Sequence, residues 1–304
     1  MPHPNFMLHG SGDLLADRRY AYAEAALAEG DAQAARDLYV QTLERVEQWL
    51  PAQLGLAKAN LALNRIDDAI TGFRKIAAED PQDILGARAH LARLGAEGGA
   101  LTPGYVSALF DDYAPRFDAH LITALDYHAP DILAAEIKRV AEARTFHRAL
   151  DLGCGTGLMA KALEGQASEI LGVDLSERML EIARGTGLYT RLDAADCVDW
   201  LAGETAESAD LVIAADVFCY IENLEPIFRQ THRVLEKSGL FSFTIQTHAG
   251  SGWRVGDDLR VHHGLLLIEE MARECGFVLA RVQPTSARKD RGVPVPGAVF
   301  VLER

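Results

Sequence analysis

The stretch "ALDLGCGTGL", residues 149–158, limits what this chain can fold into more than any other. An apolar run ends in Asp151, and glycines follow at 153, 155 and 157. That pattern predicts a strand turning sharply into a helix, with backbone left bare for a close approach. A dinucleotide loop needs the spacing G-x-G-x-x-G, whose third glycine lets the helix pack on its strand. Here position 158 is Leu, and Asp151 stands where a pyrophosphate would be repelled. The acid suits a positively charged ligand better.

Strands and helices alternate from residue 148 onward. Apolar strand candidates are Arg148–Leu152, Glu169–Val173, Tyr189–Leu192, Asp210–Ala215 and Leu240–Gln246, most of them separated by helical stretches. Such alternation implies βαβ crossovers and a parallel sheet with helices on both faces. Two helices, "YVSALFDDYAPRFDAHL" and "DYHAPDILAAEIKRVAEA", precede the first strand. The ending differs: a helix at Leu265–Cys275 leads to "FVLARVQPTSAR", a Pro/Gly turn "DRGVPVPG", and "AVFVLER". Strands joined by so short a connection must be antiparallel. Asp151, Asp174, Asp196 and Asp216 fall at or near the C-terminal ends of successive strands, where open α/β sheets bind ligands.

"LDLGCGTG" resembles motif I of the class I S-adenosylmethionine-dependent methyltransferases, and the resemblance runs from about residue 105 to the end. It implies S-adenosylmethionine as cofactor and S-adenosylhomocysteine as product, with Asp151, Gly153, Cys154, Gly155 and Gly157 at the donor. "ILGVDLSERMLEIA" is similar to the second motif. There Asp174 would take the ribose hydroxyls, with Leu175 beside it and Met179 packed on the adenine. "LDAADCVDWL" is similar to the third, placing Ala195, Asp196 and Cys197 near the adenine amino group. The fourth block, from "ADLVIAADVFCY", sets Asp216 at the end of strand four. In "FDDYAPRFD", Tyr113 and Phe117 share a helical face next to Arg116. That helix would close over the sulfonium, whose charge an aromatic face attracts. Alternatively Phe110, Tyr113 and Phe117 only dock the helix, and Arg116 pairs with Asp112.

The first hundred residues repeat. "ALAEGDAQAARDLYVQTLE" and "LALNRIDDAITGFRKIAAEDP" superimpose at an offset of 34, matching Ala23 with Ala57, Ala35 with Ala69, Tyr39 with Phe73, and Thr42 with Ile76. The inter-helix glycine is Gly30 in one unit and Asn64 in the other. This resembles the tetratricopeptide repeat, against a plain pair of helical hairpins; "ILGARAHLARLG" would cap the short array. The expectation is therefore an α/β protein. A Rossmann-like seven-stranded methyltransferase sheet with a terminal antiparallel hairpin follows an all-α tetratricopeptide-like domain. Its divisions would be a flexible leader at 1–15, repeats with a capping helix at 16–96, a linker at 97–104 and the methyltransferase domain at 105–304. The combination is similar to a bacterial group of tetratricopeptide methyltransferases.

Net charge is −14, and the acidic excess is spread over both halves. Nucleic acid and anionic membranes are thus poor partners. Cys154, Cys197, Cys219 and Cys275 have no metal-ligand spacing, so no metal and a reducing cytoplasm are expected. Residues facing the acceptor would be Asp216, Tyr220 and Glu222, then His248 and Trp253, with His262 and His263 further on. Asp216, Tyr220, His248 and His263 are the candidates for chemistry, His being the side chain suited to proton removal near neutrality. "QTHAGSGWRVGDDLRVHHG" reads as a mobile acceptor-binding loop. The acceptor is a small molecule or a protein, and the repeats serve partner binding, self-association or pocket shaping. Two other readings fit less well: a non-catalytic donor-binding adaptor, and a nicotinamide oxidoreductase, which the glycine spacing disfavours.

Overall fold

The computed structural model describes residues 10–290 and 292–304, the side chains of 122–124 excepted. The expected leader therefore lies, up to residue 9, outside the described residues. The chain divides into two compact units, one ending at Val106 and one running from Ser107 to Arg304.

The first unit is helical: α1 (Leu14–Ala28), α2 (Ala32–Leu43), α3 (Leu50–Ala62), α4 (Ile66–Glu79) and α5 (Ala87–Arg93), with α6 (Pro103–Tyr113) beginning at its end. Asp13 and Asp31 start α1 and α2 by accepting backbone N–H groups left unpaired in the first turn. The residues matched at the 34-residue offset are all buried: Ala23, Ala35, Tyr39 and Thr42 in one unit, and Ala57, Ala69, Phe73 and Ile76 in the other. Small residues let the helices approach, and one large ring per unit fills the remaining space. A Cβ at Gly55 would run into the Tyr39 ring, while Phe73 stacks on His90 of α5. The turns also correspond. Gly30 has φ +87° and Asn64 φ +58°, so asparagine, a tolerant residue in the left-handed region, replaces glycine without changing the turn.

The second unit holds α7 (Phe117–Ala124), α8 (Ala129–Ala141), β1 (Phe146–Leu152), α9 (Leu158–Ala162), β2 (Ala167–Asp174), α10 (Glu177–Thr186) and β3 (Arg191–Ala194). There follow α11 (Cys197–Gly203), β4 (Ala209–Ala214), α12 (Glu225–Val234), β5 (Leu235–Gln246), β6 (Trp253–Val255), β7 (Val261–His263), α13 (Leu265–Glu274), β8 (Val278–Thr285), β9 (Lys289–Asp290), β10 (Val293–Pro294) and β11 (Gly297–Glu303). Seven strands form one sheet in the order β3-β2-β1-β4-β5-β11-β8. The first five pair in parallel, and β11 is antiparallel to both β5 and β8.

Both faces are covered, which explains the unbroken apolar runs in the central strands. Leu150, Leu152, Val212, Phe241, Phe243 and Phe300 pack on one side with Trp200, Ile227, Phe228 and Ile268. Ala149, Leu211, Ile213, Leu240 and Val299 pack on the other with Leu133, Ile137, Met159 and Ala160. Two expectations need correction. The segment read as a mobile loop contains the ribbon β6–β7, paired from Trp253↔His263 to Val255↔Val261. The third strand begins at Arg191 instead of Tyr189, whose hydroxyl donates to Asp151.

Candidate functional site

The three glycines after β1 all take left-handed backbone, with φ of +61°, +55° and +94° at 153, 155 and 157. Packing explains two of them. A Cβ at Gly153 would lie 2.5 Å from Val217, and one at Gly157 would lie 3.1 Å from the Tyr189 ring. At Gly155 a Cβ would meet nothing within 4 Å. The middle glycine therefore presents bare backbone to open space.

Around that space the strand ends bring acids together. Asp174, the last residue of β2, accepts from Gly155 N at 2.9 Å and from Ser176 N at 2.8 Å, fixing the loop against the second strand. Burial raises its carboxyl, and the backbone N–H groups oppose the shift. Asp151 is 1% exposed. Its Oδ2 accepts from Tyr189 Oη at 2.6 Å, but Oδ1 has no hydrogen-bond partner among the described residues. Burial pushes this carboxyl up to about 7; the Tyr189 bond opposes the rise and the Asp174 charge adds to it. A buried acid with one unpaired oxygen favours either a proton or a cationic partner.

The neighbouring positions are framed by structure. Leu175 and Ala195 are half-buried, and Ala195 N donates to Asp174 O at 3.1 Å. Met179 is fully buried and presents no open face. Asp196 caps α11, accepting from Val198 N at 2.8 Å and Asp199 N at 3.4 Å, with Cys197 buried behind it. Cys154 is buried, and that burial drives its thiol above the usual range.

Three hydrogen bonds tie α6 and α7 across these turns. Ser107 Oγ donates to Leu175 O at 3.1 Å, Ser176 Oγ to Asp111 Oδ1 at 2.6 Å, and Thr156 Oγ1 to Asp118 Oδ1 at 2.7 Å. The aromatic face of α6 docks inward: Phe110 meets Tyr220 edge-on at 5.2 Å, and Tyr113 meets Phe117 at 5.2 Å. Arg116 pairs with Asp112 at 2.6 Å and lies over the Tyr113 ring. The docking and ion-pair alternatives are thus the ones this structure displays.

On the far side of the crevice, Asp216 has φ +59° and donates its backbone N–H to Thr244 Oγ1 at 2.8 Å. Its carboxylate lies 3.6 Å from Arg288. Tyr220 is buried with Arg260 over its ring at 4.4 Å. Glu222 and His262 are half-buried, His262 facing Asp258 at 3.2 Å, while Trp253 is exposed. The histidines do not stand as expected. His248 accepts from Gly250 N at 2.9 Å and donates to Gly252 O at 3.3 Å, so both ring nitrogens brace its own loop. His263 is fully buried beside the backbone of Ile221 and Glu222, without closing a full hydrogen bond to either, and burial lowers it to about 4. Both ring nitrogens of His248 are thus engaged, and the His263 ring is enclosed.

Sequence reasoning missed Tyr189, Asp111, Asp118, Arg260, Arg288 and Tyr127. Burial holds the Tyr127 phenol far above its usual range, and the Asp216 charge adds to that. Tyr189 carried a signal, being a polar aromatic at an expected strand start. The others stand inside quoted stretches, Asp111 and Asp118 in "FDDYAPRFD", Tyr127 in "DYHAPDILAAEIKRVAEA", Arg260 in "QTHAGSGWRVGDDLRVHHG" and Arg288 at the end of "FVLARVQPTSAR", but no local pattern marks them.

Residues 150–243 match the methyltransferase domain family, and residues 26–94 match the tetratricopeptide repeat family. A probable S-adenosylmethionine-dependent methyltransferase of Saccharomyces cerevisiae is 34% identical over 34% of this chain and 39% of its own. A ubiquinone biosynthesis O-methyltransferase of Bordetella avium is 29% identical over 38% of this chain and 50% of its own. A malonyl-[acyl-carrier protein] O-methyltransferase of Legionella pneumophila is 38% identical over 32% and 35%. The chain thus spans half or less of the length of these relatives. In fold it is similar to a Burkholderia thailandensis 1,6-didemethyltoxoflavin-N1-methyltransferase, solved with 1,6-didemethyltoxoflavin and S-adenosylhomocysteine. The TM-score is 0.52 at 16% identity, covering 66% of this chain and 88% of that one. A Leishmania major SAM-dependent methyltransferase gives 0.54 at 16% identity, covering 66% and 82%. No described helix is long and apolar enough to cross a membrane. Sequence match and strand order agree on a methyltransferase domain of the S-adenosylmethionine-dependent class, preceded by tetratricopeptide-like repeats.

Proposed function

We propose that the crevice at the C-terminal ends of β1–β4 binds S-adenosylmethionine and delivers its methyl group to an acceptor oxygen. The observations that carry this reading are the Oδ1 of buried Asp151, unpaired among the described residues, and the bare backbone of Gly155 in the same loop. An ammonium group would satisfy that oxygen, as a phosphate could not. Asp174 retains acceptor capacity beyond its two backbone bonds for ribose hydroxyls. Leu175, Ala195, Asp196 and Cys197 would line the adenine, with Met179 as packing beneath it. Gly153, Cys154 and Gly157 shape the loop, and Tyr113 with Arg116 belongs to the segment laid over it.

Once bound, the donor supplies an activated methyl: the acceptor's lone pair bonds to carbon while the C–S pair stays on sulfur, leaving S-adenosylhomocysteine, and the acceptor oxygen releases its proton. The protein's part is alignment and exclusion of water, which can lower a barrier by roughly 7–11 kcal/mol. Asp216 and Tyr220 stand on the acceptor side of the crevice. Oxygen as the accepting atom rests on the two bacterial relatives named O-methyltransferases. The repeats, within a domain of about residues 16–96 that a linker at 97–104 joins to the catalytic part, would recruit a partner. The buried, unpaired cysteines fit a cytoplasmic setting.

The test is turnover. The full chain incubated with methyl-labelled S-adenosylmethionine and a small-molecule cell extract is expected to release S-adenosylhomocysteine and label a product. Asp174→Ala should abolish both. Donor binding without turnover in any extract would make the protein an adaptor.

A further inference from the structure

Arg288 ends the stretch "FVLARVQPTSAR" just after β8, before the Pro/Gly turn, yet it is 3% exposed. Its carboxylate neighbours do not satisfy it. Nε lies 3.6 Å from Asp216 Oδ2 and Nη2 lies 3.8 Å from Asp258 Oδ2, well beyond the 2.7–2.9 Å or so of a charge-assisted hydrogen bond. Nη2 donates to Gln246 at 2.6 Å, with that amide oriented so that its nitrogen donates to Asp258 at 3.2 Å. Nε has no hydrogen-bond partner among the described residues. A buried guanidinium with an unspent N–H calls for another acceptor oxygen.

A second buried guanidinium stands near. Arg260, 3% exposed, lies over the Tyr220 ring at 4.4 Å, and its Nη1 reaches Cys219 Sγ at 3.4 Å. Both arginines act electrostatically on the Tyr113 phenol, and Tyr220 touches Phe110 of α6. Asp216 and both guanidiniums also act on the Cys219 thiol, so the two arginines, the aromatic rings and Asp216 form one cluster.

We infer that this site grips a carboxylate on the methyl acceptor, with Arg288 Nε–H as its donor, the Arg260 guanidinium adding positive charge, and the rings of Tyr220 and Phe110 against the acceptor's body. The inference rests on the methyltransferase reading and adds the substrate class. A carboxylate fits better than a phosphate, because Asp216, Asp258 and Asp290 all act on Arg288 and would repel a doubly charged group. A carboxylate held by guanidiniums is also a weakened nucleophile, so here it is the handle that orients the acceptor.

The probe is 4-fluorobenzoate, followed by fluorine NMR on the full chain with and without S-adenosylhomocysteine. Its uncharged analogue 4-fluorobenzamide and the dianion 4-fluorophenyl phosphate are compared. The benzoate is expected to bind at least tenfold more tightly than either. Arg288→Gln should remove at least tenfold of its affinity while S-adenosylhomocysteine affinity stays within twofold. Equal binding of benzoate and benzamide, tighter binding of the phosphate, or an unaffected Arg288→Gln variant would each overturn the inference. If that variant fails to fold, the comparison of the three probes on the unaltered chain still decides. Failure of S-adenosylhomocysteine to bind would strike the methyltransferase reading, whereas benzoate discrimination without the nucleoside tests the arginines alone.

Discussion

In the helical unit, positions 39 and 73 hold an aromatic ring in corresponding sites, each surrounded by alanines that repeat with it. At the strand ends of the sheet, Asp151 and Arg288 are equally inaccessible, yet each keeps a polar atom without a partner among the described residues. The first arrangement is what burial alone selects: small against large, with the chain turning in the left-handed region at Gly30 and Asn64. The second opposes stability, since a desolvated charge with unspent hydrogen-bonding capacity costs free energy in the absence of a ligand. Strain shows the same division. Asn64 serves a turn between helices, whereas the left-handed Asp216 serves no helix cap and points its carboxylate toward Arg288. One region is arranged for folding, the other for a guest.

The contrast breaks most sharply by truncating a repeat aromatic. Phe73→Ala is expected to destabilise the helical unit by about 3–5 kcal/mol, as large buried rings do on truncation. Thermal unfolding followed by circular dichroism reads this, and S-adenosylhomocysteine affinity should stay within twofold. A matching loss of affinity would mean that the helical core is not purely structural.

Asp151→Asn should do the reverse. It keeps the shape and removes the charge, so S-adenosylhomocysteine affinity should fall at least tenfold by calorimetry, about 1.4 kcal/mol, while the unliganded protein does not lose stability. The pH dependence has a definite sign. The Asp151 carboxyl is raised from 3.8 to about 7, so folding favours its protonated form. The stability contributed by that proton is complete below about pH 4 and is lost as pH climbs through 7. The difference in melting temperature between wild type and Asp151→Asn should therefore shift against wild type across that window. A flat difference would show that Asp151 is not held in a desolvated state.

Gly30→Ala gives the smallest effect, about 1 kcal/mol of destabilisation. A Cβ there meets no neighbour and only the backbone conformation resists it. Asn64→Gly should be close to neutral by the same melt. A large loss at either would mean that the two turns are not equivalent.

Much of this division is legible in the sequence because it is periodic or local. A 34-residue offset, alternating glycines and apolar strands ending in Asp each carry their meaning within a few residues. The grip on the site is not local. Tyr189 reaches Asp151 across 38 positions, Asp111 reaches Ser176 across 65, and Arg288 meets Asp216 from the far end of the domain. No periodicity marks such pairs, since tertiary packing alone brings them together. The β6–β7 ribbon escaped for a different reason. Its strands, "WRV" and "VHH", are three residues long amid glycines, too short to show an alternation. That misreading made His248 and His263 look available, when the ribbon and its approach hold them in place.

Titration of S-adenosylhomocysteine into the full chain and into Gly155→Arg decides whether the glycine loop holds the donor, because a Cβ at position 155 meets nothing within 4 Å. Micromolar binding to the wild type is expected, with at least a hundredfold loss in the variant and little change in melting temperature beyond the backbone strain at that residue. No binding to the wild type, or equal binding to both, would contradict it.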